Sequence, residues 1–355
     1  MQALIAGGGV AGAATACLLG PAATLIERET APHDKICGEF LSWEAQAYLA
    51  RLGLDPAALG AHPITHVRLV HRNQIACATL PFTGLGLSRR VLDEALLAHA
   101  AARGATILRG HSIRAASGTA LDITTLGTLH AKRLYLATGK HDLRGLKRAP
   151  GAPNPLVGLK MYYRLAPAQQ AELAGHIEIL LFPGGYAGLQ LVEGGRANLC
   201  LLLHRDRFQS AGRAWDGVMH LLSQNCPHLA ARLAGATPLL ERPLTISGVP
   251  YGYVHPTPAP GLFRLGDQMG VIPSFCGDGV SIALHTAFAA VAAGPDAALY
   301  HRRVQPQLAA PIRRAQHLFG VAQAAPAWIT AAARLWPGAL RTVARLTRLS
   351  PAAIN

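Results

Sequence analysis

The 355-residue chain is short of acid: 19 aspartates and glutamates stand against 33 lysines and arginines, for a net charge of +14. That imbalance suits anionic partners, whether a phosphorylated cofactor, a nucleic acid or a lipid surface. No nucleic-acid-binding motif accompanies it, and the basic residues are dispersed until the C-terminal tail, so nucleic acid is not expected and most arginines are assigned to solvated faces. The six cysteines, Cys17, Cys37, Cys77, Cys200, Cys226 and Cys276, lack any Cys-x-x-Cys spacing. This excludes a disulfide framework or zinc cluster and points to reduced thiols in a cytoplasmic protein. The 16 histidines show no His-Glu-x-x-His or other ligand spacing, so no metal is expected. The apolar start, Met1 to Ile26, has no basic leader and is broken by Gly7, Gly8, Gly9, Gly12, Gly20 and Pro21, so it reads as neither a signal peptide nor a membrane span.

What the chain does have is apolar bulk, with 50% hydrophobic and 15% charged residues, enough for a large core and two domains. The opening segment is the most informative. Gln2 to Ala6 reads as a short strand, Gly7-Gly8-Gly9-Val10-Ala11-Gly12 follows, an alanine-rich helix runs to Leu19, and a second strand, Ala23 to Ile26, ends at Glu27. This is G-x-G-x-x-G between strand and helix with an acid closing the next strand. Gly7 permits the tight turn, Gly9 lets the backbone approach a pyrophosphate, Gly12 lets helix and strand pack closely, and Glu27 would accept from a ribose. A dinucleotide site is expected here.

A second element lies far away, at Gly266 to Gly279 (GDQMGVIPSFCGDG), after an apolar run and before a helical pattern from Val280 to Gly294. Asp267 offers a carboxylate to hydroxyl donors and Pro273 stiffens the turn. Gly277 and Gly279 leave backbone N–H groups bare at a helix start that attracts anions or carbonyl oxygens. The N-terminal fingerprint completed by this distant Gly-Asp resembles the FAD-binding pattern of the para-hydroxybenzoate hydroxylase and geranylgeranyl reductase superfamily. The resemblance implies FAD as resident cofactor, with Asp267 at the ribityl chain and diphosphate and Gly277 and Gly279 against the isoalloxazine.

It also distributes roles between these ends. Lys35-Ile36-Cys37-Gly38 matches a Cys-Gly pair of geranylgeranyl reductases that returns to the flavin, with Lys35 reaching the diphosphate and Cys37 tuning the flavin or relaying a proton; an inert thiol and a solvated lysine are the plain alternatives. Arg89 to Asp93 is similar to a family Arg-x-x-Leu-Asp motif whose arginine lies near FAD. Where many hydroxylases carry Asp-Gly, this chain has Thr138-Gly139, and no second dinucleotide fingerprint is present, so NAD(P)H is expected only as a transient donor. The cofactor-binding set implied is therefore Gly7, Gly9, Val10, Ala11, Gly12, Glu27 and Arg28, then Lys35, Cys37, Gly38, Arg89 and Gly139, then Asp267, Pro273, Gly277, Asp278 and Gly279.

Short alternating runs from His62 to Phe82 and again from Leu156 to Leu203 read as strands of another sheet. Within them Phe182 to Leu189 looks like a geranylgeranyl reductase segment facing the flavin from the substrate side, which makes Tyr186 a candidate catalytic residue beside Cys37; two glycines before Tyr186 read equally well as a plain hairpin turn. Few acids or bases lie on these strands, so a mostly apolar cavity is expected. The tail from Ala297 is helical and basic and is divided by Pro326 and Pro337. Such helices more often pack on their own domain, though an arginine-rich amphipathic tail also suits peripheral contact with an anionic membrane.

The expected architecture is α/β: a discontinuous Rossmann-like FAD domain (1–60, 84–149 and 251–296), an inserted antiparallel-sheet substrate domain (61–83 and 150–250) and a helical C-terminal region (297–355). The function it implies is an FAD-dependent oxidoreductase, in first place a monooxygenase that hydroxylates or epoxidises a lipophilic or aromatic small molecule through a flavin C4a-hydroperoxide. The alternatives are reduction of carbon–carbon double bonds, as geranylgeranyl reductases perform it, and a flavin carrier without a substrate of its own. Gly38-Glu39 is also faintly similar to a segment of flavin-dependent halogenases, but the Trp-x-Trp-x-x-Pro context of their halogenating lysine is absent.

Overall fold

The computed structural model describes residues 1–149, 154–336, 338, 342 and 346–349. The chain begins with the βαβ unit that the glycine loop implies. Strand β1 (Ala3–Ala6) is buried throughout, as a central parallel strand covered on both faces must be. Helix α1 (Val10–Leu19) follows, and β2 (Ala23–Glu27) lies parallel to β1 in register from Ala3 with Ala23 to Ala6 with Ile26. A long excursion then carries β3 (Phe40–Leu41), helix α2 (Trp43–Leu52) and the hairpin β4 (His62–His71) and β5 (Gln74–Gly86). Helix α3 (Arg89–Ala102) starts at a Ser88 cap whose hydroxyl accepts from Val91 N–H. It returns the chain to β6 (Thr106–Arg109), parallel to β2.

A small meander of β7 (Ile113–Ser117), β8 (Ala120–Ile123) and β9 (Gly127–His130) precedes β10 (Arg133–Leu136), which pairs in parallel with β1. The chain then leaves for a second layer: β11 (Leu156–Arg164), α4 (Pro167–Leu173), β12 (Gly175–Phe182), β13 (Gly185–Leu191) and β14 (Ala197–His204). Helices α5 (Arg205–Ser210), α6 (Trp215–Asn225) and α7 (Pro227–Arg232) and the short strands β15 (Thr237–Pro238) and β16 (Leu244–Ser247) complete that excursion. Strand β17 (Leu262–Arg264) comes back beside β10, and helices α8 (Gly279–Ala292), α9 (Ala297–Ala324) and α10 (Pro326–Leu335) follow.

Besides that meander, the result is two larger sheets. The first, ordered β17-β10-β1-β2-β6, is parallel throughout; the second, ordered β15-β11-β14-β13-β12-β4-β5-β3, is antiparallel except where β12 meets β4. This is the α/β architecture with an added antiparallel sheet that the sequence implies. The first sheet is buttressed by α1, α3 and α8, whose alanines and leucines join one continuous core with Ile5, Leu25 and Phe263. The second packs Leu159, Met161, Leu199, Leu201 and Leu203 against α6 and α7.

The tail divides at Pro326, as expected, while Pro306 and Pro311 sit inside α9, which runs on for 28 residues. Pro337, Arg341, Arg345 and 350–355 lie outside the described residues, as do 150–153 at the start of the expected substrate segment. No described helix is long and apolar enough to cross a membrane.

Candidate cofactor and substrate site

The site is built from the glycine loop outward. Gly7 adopts φ 104°, a left-handed conformation that glycine alone tolerates cheaply, and a Cβ on Gly12 would strike the Gly7 carbonyl oxygen. Helix α1 therefore starts with no side-chain cap at Gly9, and the N–H groups of its first turn, from Val10 and Ala11 on, face outward with the positive end of the helix dipole. Glu27, buried at the end of β2, is held by backbone donors: Gly8 N–H to Oε2 at 2.6 Å and Glu29 N–H to Oε1 at 2.9 Å. The neighbouring Arg28 is exposed and pairs with Glu29 at the surface.

Two cations stand over this loop. A Cβ on Gly9 would lie 3.2 Å from Arg89 Nη2 and 3.7 Å from Lys35 Nζ. Both are anchored by Asp93, one turn along α3: Arg89 Nε and Nη2 donate at 2.8 and 2.9 Å, and Lys35 Nζ donates at 2.8 Å. Burial alone would raise the Asp93 carboxyl, but Arg89 and Lys35 outweigh it and hold it below the usual range. The structure thus places Lys35 and Arg89 together at the loop, with Asp93 as their shared anchor.

The next layer is a polar knot that sequence reasoning missed. Glu39 is 1% exposed and takes the left-handed conformation (φ 62°) just after Cys37-Gly38. Its carboxylate accepts from Lys160 Nζ at 2.5 Å, from Tyr162 OH at 2.7 and 2.8 Å, and from Arg89 N–H at 2.8 Å. Lys160, fully buried on β11, also donates to the Lys35 carbonyl (2.9 Å) and to Tyr162 OH (2.8 Å). Gln190 Nε2 donates to the Glu39 carbonyl, and Asn198 Nδ2 donates to both the Cys37 and Gly38 carbonyls. The signal for this knot was the alternation itself: Tyr162, Asn198 and Gln190 form one cross-strand row, and Lys160, Cys200 and Gly188 the next, all on one face.

Cys37 lies within this frame. Its Sγ accepts from Glu39 N–H at 3.3 Å, and the Arg89 guanidinium lies near enough to interact with it electrostatically. Lys140, partly buried, donates to the Ile36 carbonyl at 2.9 Å. Cys200, pushed up to about 12 by burial, is a neutral thiol facing the same space. Burial likewise raises Glu39, against the pull of Lys160.

At the far end, Asp267 is half-buried. Its backbone carbonyl accepts from Arg148 at 3.0 Å, and its carboxylate makes no hydrogen bond among the described residues. Gly139 is tied in by Gln268 Nε2 on its carbonyl (2.9 Å). Positions where a Cβ would meet open space include Gly38, Gly139 and Gly279, the last at the first turn of α8. Pro273 opens the short turn that ends at Gly277, whose φ of 74° requires glycine and which packs on Phe40. Asp278 turns the other way: its Oδ1 accepts from Arg348 at 2.9 Å, and Arg348 also reaches Glu44. Burial lifts Asp278 to about 7, with Arg348 opposing and Glu44 reinforcing the rise.

Between Pro273 to Gly277 and the second sheet lies a packed aromatic cluster. Tyr186, buried on β13, meets Phe275 and Phe319 edge-on, while Phe275 and Phe319 stack on each other. Tyr251 OH lies 2.7 Å from Ser274 Oγ, and Ile329 and Ala333 of α10 close the side. Of the other tyrosines, Tyr162 belongs to the Glu39 knot, Tyr163 faces the opposite side of the sheet toward Trp215, and Tyr253 bonds His255.

No family model and no curated protein matches the sequence. Solved structures do match its shape. The flavin-dependent brominase Bmp2 superposes with a TM-score of 0.79 at 16% identity, covering 98% of this chain and 92% of that one. PqsL of Pseudomonas aeruginosa, described as a probable FAD-dependent monooxygenase, gives 0.70 at 17% identity over 91% and 96% of the two chains. A flavoprotein/dehydrogenase from Cytophaga hutchinsonii gives 0.69 at 19% identity over 81% and 76%. The chain has the fold of these flavoproteins. Its own residues also fit the flavin dinucleotide on which that fold is built. The bare α1 terminus and two cations complement a diphosphate, and Glu27 stands where a ribose would meet it. The orphaned buried acceptors Asn198 Oδ1 and Gln190 Oε1 and the open positions at Gly38, Gly139 and Gly279 line the remaining path.

Proposed function

We propose that this protein is an FAD-dependent oxidoreductase of the monooxygenase type, acting on a lipophilic or aromatic small molecule. The observation that carries this reading is the pairing of a glycine loop suited to an anion, with Arg89 and Lys35 over Gly9, and an aromatic cluster of Tyr186, Phe275 and Phe319 against the second sheet. FAD, when bound, would supply the redox chemistry and activate oxygen for transfer to the substrate.

The protein's share is binding, orientation and exclusion of water. Gly9, Val10, Ala11, Lys35 and Arg89 would hold the diphosphate, Glu27 the ribose and Asp267 the ribityl hydroxyls. Gly38, Gly277 and Gly279 would let the ring system lie against backbone. Tyr186 and the phenylalanines would offer an apolar substrate an aromatic surface and keep water from it. With no second dinucleotide fingerprint, NAD(P)H would serve as a transient donor. The occupancy of Lys160 argues against halogenation: its ammonium is taken up by Lys35, Glu39 and Tyr162, and the tryptophan pattern of halogenases is missing. Cys37, set against the substrate sheet by Asn198, supports a second reading, reduction of a carbon–carbon double bond.

Purification should yield a yellow protein that releases FAD on denaturation, and Gly9→Glu and Asp267→Ala should each purify folded but colourless. Reduced enzyme supplied with isotopically labelled dioxygen should place the label in a lipophilic aromatic product. Turnover of an alkene without oxygen would replace the first reading by the second, and a colourless wild-type protein that takes up no added FAD would remove both.

A further inference from the structure

The last acidic residue of the chain is Asp296; from Ala297 to Asn355 there are eight arginines and no aspartate or glutamate. Within this stretch α10 has two unlike sides. Thr330 and Ala333 are buried, and Ile329 joins the aromatic cluster with Phe319. The opposite side carries Trp328, 80% exposed, and Leu335, 89% exposed, seven residues apart and so above one another, with Trp336 69% exposed at the helix end. Single exposed apolar side chains are commonplace, but three large ones within nine residues form a patch. Arg334 is exposed beside them, and Arg302, Arg303 and Arg313 are exposed along α9.

The charge selects the occupant. A second copy of this chain, placed face to face on the same patch, would set arginines against arginines. An anionic lipid surface offers what the patch lacks: phosphates for the arginines and an interfacial layer in which tryptophan, apolar in body and polar at its N–H, is at home. We propose that α10 seats this protein on an anionic lipid surface, with Trp328, Leu335 and Trp336 inserted and Arg334 against the headgroups. Because the other side of α10 packs on the aromatic cluster, a membrane-dissolved substrate would approach it through the docked element; that last clause rests on the function proposed above, while the docking itself does not.

The test is sedimentation of the full chain with vesicles of phosphatidylcholine alone or mixed with phosphatidylglycerol, each with preparations loaded with and stripped of flavin. The wild type should sediment with the mixed vesicles only. Trp328→Ser/Leu335→Ser/Trp336→Ser, which changes exposed side chains and should melt as the wild type does, should lose about tenfold or more in partitioning while keeping every positive charge. Arg334→Glu should weaken binding to the mixed vesicles alone. Equal binding of the wild type and the triple variant would mean adsorption of a basic protein and would overturn the proposal, as would equal binding to both vesicle types or a lipid-free dimer that the triple variant abolishes. Docking by a protein that never takes up flavin would leave the proposal standing and remove the function above.

Discussion

The two faces of the second sheet each bury a glutamate, and they treat it in opposite ways. On the face packed against α6 and α7, Glu178 sits among leucines yet is surrounded by donors. Arg68 Nη1 lies at 3.0 Å, Arg232 Nε and Nη2 at 3.1 Å, and His228 Nε2 at 2.9 Å. Burial favours its neutral form, but the bonds from His228 and Arg232 outweigh that and hold the carboxyl at about 2. On the face turned to the glycine loop, Glu39 has one cation, Lys160, and burial prevails, raising its carboxyl. The first face spends its ionic contacts on holding a core together. The second places a poorly compensated charge where the loop carrying Cys37 must be fixed to the sheet, and such polar networks tend to specify geometry more than they stabilise.

The sharpest way to break this contrast is Lys160→Met. It strands Glu39 in a dry interior and should cost about 3–5 kcal/mol in urea denaturation, with loss of flavin from whatever folds. Pairing it with Glu39→Gln should recover much of the stability, though not the loop geometry. Leu201→Ala, on the core face, should cost about 3 kcal/mol through the cavity it leaves, with full flavin content per folded molecule. Retention of flavin by the first variant, or its loss from this one, would reverse the assignment of the faces. Arg232→Met should cost about 1–3 kcal/mol, less than the lysine change, because Arg68 and His228 remain on Glu178.

The pH dependence should carry opposite signs. Glu178 is lowered from 4.5 to about 2, so the stability it contributes is complete above 4.5 and is lost as pH falls toward 2. Glu178→Gln should flatten that acid limb of melting temperature against pH. Glu39 is raised, so its contribution is complete below 4.5 and is lost as pH rises through its folded value. Glu39→Gln should therefore flatten the loss of stability that sets in as pH rises above 4.5 and leave the acid limb alone. Asn198→Ala is the mildest probe: about 1 kcal/mol of stability, with a measurable rise in the FAD dissociation constant as the Cys37-Gly38 backbone loosens.

The parts of this molecule legible in the sequence are those whose physics is local. Gly7, Gly9 and Gly12 announce a loop because turn, approach and packing are imposed within six residues, and Glu27 falls at the next strand end by the length of the helix between. The Glu39 knot was not legible. Glu39 and Lys160 are 121 residues apart, and only the register that sets Lys160 opposite Cys200, and Cys200 opposite Gly188, brings the lysine under the loop. Asp278 shows the converse difficulty. Its position in a glycine-rich helix start suggested the cofactor, but a side chain's direction depends on the rest of the fold, and this one points to Arg348.

Arg348 also bears on how the fold closes. β1 is completed by β10, β10 by β17, and the buried acids Glu44 and Asp278 by the Arg348 guanidinium, all of them partners distant in sequence. Removing that one guanidinium would leave two buried carboxylates without their cation, so the parallel-sheet layer cannot be completed by local contacts alone.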